Sequence, residues 1–211
     1  NMNPVKLENK IKELNKKDEK PKVAIVVHLY GHPAKMDEIM KVCKKYDIKV
    51  VEDATESLGS EYKGKKTGSI GDIGCFSFNG NKLITTGGGG MLVTNIKELD
   101  KKAKYLTTQA KDDKKQFIHN EIGYNYRLTN IQAALGVAQL EQIEKFIDKK
   151  QKISNKYNDL LKNIDGLTLN PKQGWAFNVT WLYSILIDGN KFGINAKELY
   201  KKLNEKGIMA R

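Results

Sequence analysis

The stretch Gly71–Gly90, GDIGCFSFNGNKLITTGGGG, contains the residue best placed for covalent chemistry in this chain. Its lysine, Lys82, lies between the apolar runs CFSF and MLV, and no other charged residue occurs between Asp72 and Lys97. An amine kept partly away from water can act as a nucleophile toward a carbonyl group. A lone lysine beside glycines is also common in exposed turns, so the surrounding elements must decide between the two interpretations.

The four glycines that follow, Gly87–Gly90, do not match a nucleotide-binding loop. The chain has no GxGxxG that opens a helix and no GKS or GKT. Consecutive glycines instead predict positive φ values, or a close approach of two backbone segments, at a sheet edge.

A strand, a helix and a second strand precede this stretch and predict a βαβ unit. The first strand, VAIVVHLY, is apolar on consecutive residues, as is typical of a strand buried on both faces of a parallel sheet. A helix is predicted from Met36 to Tyr46, and the second strand, IKVV, ends at Glu52–Asp53. Ligands of parallel sheets bind beyond the carboxyl ends of the strands, so we expect His28 and Asp53 at the edge of a site.

Asp53, Ser77 and Lys82 together suit one kind of cofactor chemistry. A carboxylate can hold a protonated ring nitrogen and a lysine can form a Schiff base with an aldehyde, and pyridoxal phosphate requires both groups. The Ser77 hydroxyl and backbone N–H groups at strand ends can bind phosphate. Other interpretations stay open: Asp53 as a cap or turn residue, Ser77 on the thinner side of a strand, and His28 as a hydrogen-bonded histidine that closes a strand.

The formal net charge of +12 raises the possibility of nucleic-acid binding, which the distribution of charge disfavours. Arg127 and Arg211 are the only arginines, and the lysines alternate with Glu and Asp along helical stretches. Recognition surfaces tend to use clustered basic residues with Arg and aromatic side chains.

No apolar run approaches the ~20 residues of a membrane span. Cys43 and Cys75 form neither a metal-binding spacing nor a disulfide framework, which fits a reducing cytoplasm.

The middle of the chain predicts a fourth strand and a long helix. The strand, MLVT, follows the glycines and is expected to run antiparallel to its neighbour, because no helix separates it from the preceding strand. An apolar stripe that begins at Thr129 or Asn130 predicts a helix that continues to Leu161.

The last part of the chain changes character. Strands are predicted over Leu167–Leu169, over Val179–Ile187 and at Ile208–Arg211, and a short helix is predicted over Asn195–Leu203. We therefore expect two domains: residues 1–150, the major part of a larger α/β domain, and residues 151–211, the start of a smaller α+β domain.

Three segments resemble a known family: VVHLYGHPAKMDEI, VVEDATESLGSEYKGKKTGSIGDIGCFSFNGNKLITTGGGGMLVT and GYNYRLTNIQAALGVAQLEQIEKF. In order and spacing they resemble the pyridoxal-phosphate-dependent sugar aminotransferases of the DegT/DnrJ/EryC1/StrS family. The resemblance runs over essentially the whole chain, more loosely toward its end. It implies the three-layer α/β type I fold of these transferases, with a mostly parallel sheet, followed by an incomplete smaller α+β domain.

The resemblance also implies a role for each matching residue. Lys82 would bond the cofactor aldehyde and act as general acid and base, Asp53 would pair with the pyridine nitrogen, and Ser77 would bind the cofactor phosphate. Glu56 stands where the family usually has Gln or His beside the ring. Asn125, in GYNYR, resembles the asparagine that reaches the cofactor phosphate of the partner subunit, which implies an obligate homodimer. Retention of Lys82 argues against the sugar-dehydratase branch, in which histidine replaces that lysine.

The activity that the resemblance implies is transfer of an amino group, with glutamate as donor, to a nucleotide-linked keto-sugar for surface polysaccharide or glycan synthesis. The alternative is a cofactor-binding regulatory or scaffold homologue without turnover. Family members are much longer than this chain. We therefore expect an internal part of a longer enzyme, without the N-terminal part of the large domain, that is a poor catalyst by itself.

Overall fold

The structure is a computed structural model that describes residues 1–113 and 115–211. The helices are α1 (Pro4–Lys16), α2 (Met36–Lys45), α3 (Lys97–Thr107), α4 (Asn130–Leu140), α5 (Ile143–Leu161), α6 (Gly189–Phe192) and α7 (Ala196–Glu205). The strands are β1 (Val23–Val27), β2 (Lys49–Asp53), β3 (Glu61–Tyr62), β4 (Lys65–Lys66), β5 (Ile73–Ser77), β6 (Gly90–Val93), β7 (Leu167–Thr168), β8 (Ala176–Phe177) and β9 (Leu186–Ile187). A short 3₁₀ turn covers Leu29–Gly31.

A four-stranded sheet in the order β1-β2-β5-β6 organises the first part of the chain. β1, β2 and β5 are parallel, and β6 is antiparallel to β5. The predicted βαβ unit and the antiparallel fourth strand are thus confirmed. The register sets Val27 beside Asp53 and Asp53 beside Cys75, so the carboxyl ends of the three parallel strands meet at one edge.

One face of the sheet is closed by α1 and α2 and carries the core. Side chains alternate between the two faces of a strand, so every second residue of β1 and β2 points to this side. The core contains these buried apolar residues: Ile11, Ala24, Val26, Ala34, Met36, Ile39, Cys43, Ile48, Val50 and Tyr62. Burying one Val or Ile contributes roughly 1.5–3 kcal/mol, so this face supplies much of the stability of the sheet.

The other face of the sheet is open. Val23, Ile25 and Val27 on β1 are 48%, 61% and 37% exposed. The prediction of a first strand buried on both faces is therefore wrong within this chain, where β1 alternates buried and exposed residues. Asp53 and Ser77 belong to the open face, because each lies in register with its exposed residues.

The second part of the chain packs against the first through β8 and through two buried side chains. β8 pairs antiparallel with β3 of the β3–β4 hairpin, and Val179 and Trp181 are buried.

α5 runs through residues 150 and 151 without interruption, so the predicted domain division falls inside a helix, and the division stays a prediction. Within the residues that the structure describes, no helix has the length and apolar character needed to cross a bilayer.

The single long helix predicted from Thr129 is wrong, because the chain forms two helices, α4 and α5. Thr129 does cap the first one, in a capping box with Gln132. The break follows from a tightened turn, in which the Gln142 N–H donates to the Gln139 carbonyl three residues back at 3.1 Å.

Near the end of the chain, the predicted strand at Leu167–Leu169 and the predicted helix at Asn195–Leu203 are confirmed as β7 and α7, and the other two predicted strands are mostly wrong. Within the run Val179–Ile187 only Leu186–Ile187 forms a strand, and Thr180 interrupts the start of the run with a left-handed conformation, φ of 54°. The Asn178 side chain accepts the Thr180 N–H at 2.7 Å and holds this bend. The segment Ile208–Arg211 is not a strand, and the Ile208 N–H instead closes the end of α7.

Candidate active site

Asp53 ends β2 at the open edge and keeps an oxygen available. Its backbone carbonyl accepts the His28 N–H at 3.1 Å, which joins the ends of β1 and β2. Its Oδ1 accepts the Thr55 N–H at 3.2 Å. Across the described residues, no hydrogen bond reaches Oδ2, so this oxygen can accept an N–H from a ligand on the open face.

Ser77 ends β5 on the same face as Asp53. It lies two residues beyond Cys75, the register partner of Asp53. A rise of ~3.3 Å per residue and a strand spacing of ~4.8 Å place the two Cα atoms about 8 Å apart. The Ser77 Oγ accepts the Asn79 N–H at 3.3 Å, and the hydroxyl proton remains free to donate.

Lys82 lies on a tight loop that returns from β5 to β6. The Lys82 N–H donates to the Asn79 carbonyl, and the Thr86 N–H donates to the Phe78 carbonyl, each at 3.0 Å. From α4, the Gln139 Oε1 accepts the Thr85 N–H at 2.9 Å. The loop is thus fixed on both sides of the lysine. The Lys82 Nζ lies 4.2 Å from the centroid of the Trp181 ring.

The glycines after this loop show both features that the sequence predicts, positive φ values and close approach of two backbone segments. Gly87 and Gly89 have φ values of +77° and +85°, a region that disfavours other residues. A Cβ on Gly90 would collide with the Phe76 carbonyl on the neighbouring strand. The glycines therefore allow the chain to turn tightly and re-enter the sheet beside Ser77, and the prediction of positive φ and close approach is confirmed.

Glu56 lies in the loop after β2, and its carboxylate binds backbone. Its Oε2 accepts the Tyr30 N–H at 2.8 Å. Tyr30 has a left-handed backbone with φ of +55°, a conformation that costs on the order of 1 kcal/mol or more and needs support from its neighbours. Glu56 therefore stabilises the turn after β1, and its predicted place beside a cofactor ring stays a prediction.

Asn125 is exposed. It forms a β-bridge with Thr108, and its Oδ1 accepts the Arg127 Nε–H at 3.3 Å. In the described part of the chain, no hydrogen bond joins it to Asp53, Ser77 or Lys82. Its predicted role toward a partner subunit stays a prediction.

His28 is buried and bonded to Glu52, a residue that the sequence interpretation did not single out. The Ala34 N–H donates to His28 Nδ1 at 3.0 Å, so a neutral ring carries its proton on Nε2. Nε2 then donates to Glu52 Oε2 at 2.9 Å. The structure therefore gives His28 the role of a hydrogen-bonded histidine that closes β1, which was one of the two interpretations left open.

The residues at the open edge fit pyridoxal phosphate. Asp53 offers a free carboxylate oxygen, Ser77 a free hydroxyl proton, and Lys82 an amine without a carboxylate partner in the described chain. Burial, and after it the charge of Asp53, raise the pKa of the Cys75 thiol, so Cys75 is a poor nucleophile here. Over residues 1–113 and 115–211, no cluster of side chains suits a metal ion.

Trp181 is a second residue that sequence reasoning missed. Its ring covers Lys82, and its Nε1–H donates to the Asn81 carbonyl at 2.8 Å. The two residues are about a hundred positions from Trp181 in the chain, and no periodicity or spacing links them. A tryptophan inside a run of β-branched residues was the only signal, and it predicted a strand.

The sheet topology and the edge residues define an α/β protein with a lysine, a carboxylate and a hydroxyl group at the carboxyl ends of parallel strands. Comparison with known proteins gives the family: all 211 residues match the profile of the DegT/DnrJ/EryC1/StrS aminotransferase family, and the chain belongs to it.

Three relatives illustrate the similarity. The GDP-perosamine synthase of Escherichia coli O157:H7 is 44% identical over 193 residues, which cover 91% of this chain and 51% of the relative. Helicobacter pylori PseC, an aminotransferase involved in the biosynthesis of pseudoaminic acid, has a structure with a TM-score of 0.87 and 30% identity, over 98% of this chain and 54% of PseC. The E. coli GDP-4-keto-6-deoxy-D-mannose-3-dehydratase with bound hydrated PLP gives a TM-score of 0.87 and 26% identity, over 100% and 56% of the two chains. The chain thus spans about half the length of the relatives it matches.

Proposed function

We propose that the protein containing this chain is a pyridoxal-phosphate-dependent aminotransferase that acts on a nucleotide-linked keto-sugar. The observation that carries the proposal is the placement of Asp53 and Ser77 on one open sheet face, next to the loop of Lys82. Family membership and the nucleotide-sugar relatives support the choice of substrate. When bound, the cofactor supplies an aldehyde for the amino group and an electron-withdrawing ring.

Each of the three residues has a defined task in this proposal. Asp53 Oδ2 would accept an N–H from the cofactor ring, and its negative charge would favour the protonated ring nitrogen. Ser77 would hold the cofactor phosphate through a hydrogen bond from its hydroxyl group. Lys82 would hold the cofactor through its aldehyde group, with loss of water, and as a free amine would take a proton from the substrate carbon and return it.

The proposed amino donor is glutamate, and the proposed assembly is a homodimer with the site at the subunit interface. The exposed position of Asn125 supports this assembly, together with the exposed apolar surface of α4, where Ile131 is 84% exposed. The free cysteines Cys43 and Cys75 support a cytoplasmic location. The product would serve the synthesis of a surface polysaccharide or another glycan.

The test is amino transfer from glutamate to a nucleotide-linked keto-sugar, measured beside cofactor binding. We expect Lys82→Ala to reduce transfer on the order of 10³-fold or more, because the proposal assigns the proton transfer to the Lys82 amine. Lys63→Ala, at an exposed lysine that pairs with Asp37, is the matched control and should keep the wild-type rate. Full transfer by Lys82→Ala would refute the proposal, and cofactor binding without any transfer would favour a regulatory or scaffold protein.

A further inference from the structure

Trp181 is held rigidly at the junction of three segments of the chain. Its backbone N–H donates to the Tyr30 carbonyl at 3.1 Å, and its carbonyl accepts from Lys150 Nζ at 2.9 Å. Its indole Nε1–H donates to the Asn81 carbonyl at 2.8 Å. The residue is only 6% exposed. Because both its backbone and its side chain are bonded, the plane of the ring is fixed relative to the loop that carries Lys82.

The Lys82 ammonium lies against this ring. The distance from Nζ to the ring centroid is 4.2 Å, within the ~6 Å range of cation–π attraction, and Trp is the strongest partner for such contacts. The guanidinium of Arg211 is farther away, at 5.9 Å, so the ring acts chiefly on Lys82. No salt bridge to Lys82 occurs in the described residues, and the ring is therefore the group that holds its amine.

Lys82 has free space to move into if the ring does not hold it. A pocket of about 230 Å³ lies beside Lys82 and is lined by Lys82, Leu83, Phe146, Lys149, Lys150 and Ile153. A lysine side chain has on the order of 2 kcal/mol of rotamer entropy to lose when it is fixed. Without the ring, the Lys82 amine would therefore sample more positions.

We propose that Trp181 is a positioning residue for Lys82, which holds the amine by its ring face and the adjacent backbone by its indole N–H. The proposal rests on the proposed function, in which Lys82 is the reacting amine. Trp181 itself exchanges no proton and bonds no substrate. Its task is to keep Lys82 at the open edge whenever the amine is not bonded to a carbonyl carbon.

The test measures how fast Lys82 reacts in the cofactor-free chain. The chain is treated briefly with acetic anhydride and digested, and the acetylation of Lys82 is measured by mass spectrometry relative to Lys45, a lysine on another aromatic ring. Trp181→Leu is expected to raise the relative rate at Lys82 about 2- to 30-fold, the range that corresponds to a cation–π contact. Trp181→Phe keeps a ring face and should stay within about 3-fold of the wild type.

Trp175→Leu is the matched control, because Trp175 packs on Tyr62 and His32 and not on Lys82. It should leave the relative rate at Lys82 unchanged. An unchanged rate in Trp181→Leu, or an equal rise in the control, would overturn the proposal.

A second measurement covers the case in which Trp181→Leu unfolds and all lysines react faster. The chain has two tryptophans, so a Trp175→Phe background isolates the emission of Trp181. Lys82→Met should then change the emission spectrum of Trp181, because an ammonium leaves the ring face. An unchanged spectrum would overturn the proposal. Either failure leaves the proposed function standing, because the bond of Lys82 to the cofactor is tested separately, by borohydride reduction of the chain after incubation with pyridoxal phosphate.

Discussion

Glu52 and Asp53 are adjacent on β2 but lie in opposite environments. Glu52 points to the closed face and is fully buried. Its Oε2 accepts from His28 Nε2 and the Gly68 N–H at 2.9 Å each, and its Oε1 accepts the N–H groups of Ile70 and Gly71 at 2.6 Å each. Asp53 points to the open face and accepts one N–H, from Thr55.

This difference separates a carboxylate that holds structure from one that is free for chemistry. All the accepting capacity of Glu52 is used to join β2 to the loop before β5 and to the end of β1. Burial alone would raise the pKa of Glu52, but the hydrogen bonds from His28, Gly71, Gly68 and Ile70 outweigh it and lower that pKa. Asp53 keeps one oxygen for a ligand, and Glu52 holds the strand that carries it.

Among the changes that separate these two carboxylates, the largest expected effect is on catalysis, from Asp53→Asn. The amide keeps the shape but not the charge that holds a proton on a ring nitrogen, so we expect amino transfer to fall roughly 10²- to 10⁴-fold. The free energy of unfolding should change by less than about 1 kcal/mol, since only one hydrogen bond is involved. Transfer kinetics and urea unfolding measure the two quantities. A large loss of stability with little loss of transfer would reverse the roles of Asp53 and Glu52.

Glu52→Ala should show the opposite pattern. Removing the carboxylate leaves His28 and three backbone N–H groups buried without an acceptor, so we expect a loss of about 3–5 kcal/mol in the free energy of unfolding. Urea denaturation of the cofactor-free chain measures it, with Glu38→Ala on the exposed side of α2 as the control. A loss below about 1 kcal/mol in the free energy of unfolding would show that the hydrogen bonds of Glu52 do not hold the end of β2 in place.

A smaller effect is expected from acid. The pKa of Glu52 lies below its ordinary value of 4.5 in the folded chain, so as the pH falls the unfolded chain binds the proton first. Its contribution to stability is therefore complete above about pH 4.5 and is lost as the pH falls through the lower, folded-state pKa. Unfolding free energies of wild type and Glu52→Gln between pH 7 and pH 3 should converge below pH 4.5. Parallel curves would contradict this assignment.

Local patterns predicted the elements that depend on neighbouring residues. The βαβ unit, the antiparallel β6, the cap at Thr129 and the position of Asp53 at the sheet edge all follow from apolar patterns, from capping chemistry and from the absence of a crossover helix. The positive φ values and the close backbone approach at the four glycines were also predicted from a local property, the absence of a side chain.

Long-range contacts could not be predicted in this way. The ring of Trp181 on Lys82, the pairing of β8 with β3 and the bonds of Glu52 to residues 68–71 join parts of the chain that no spacing relates. The left-handed Thr180 overrides the strand preference of its β-branched neighbours, because Asn178 and Tyr30 supply hydrogen bonds to that bend. Tertiary contacts decided the conformation of these residues.

The most direct measurement is trapping of the amine that bonds the cofactor. The chain is incubated with pyridoxal phosphate, reduced with borohydride and digested, and the peptide masses are measured by mass spectrometry. The account predicts that the reduced cofactor adduct is found on the peptide of Lys82 and is absent from Lys82→Ala, while Lys63→Ala gives the wild-type adduct. An adduct spread over exposed lysines with Lys82 unmodified would contradict the assignment of Lys82 as the reacting residue.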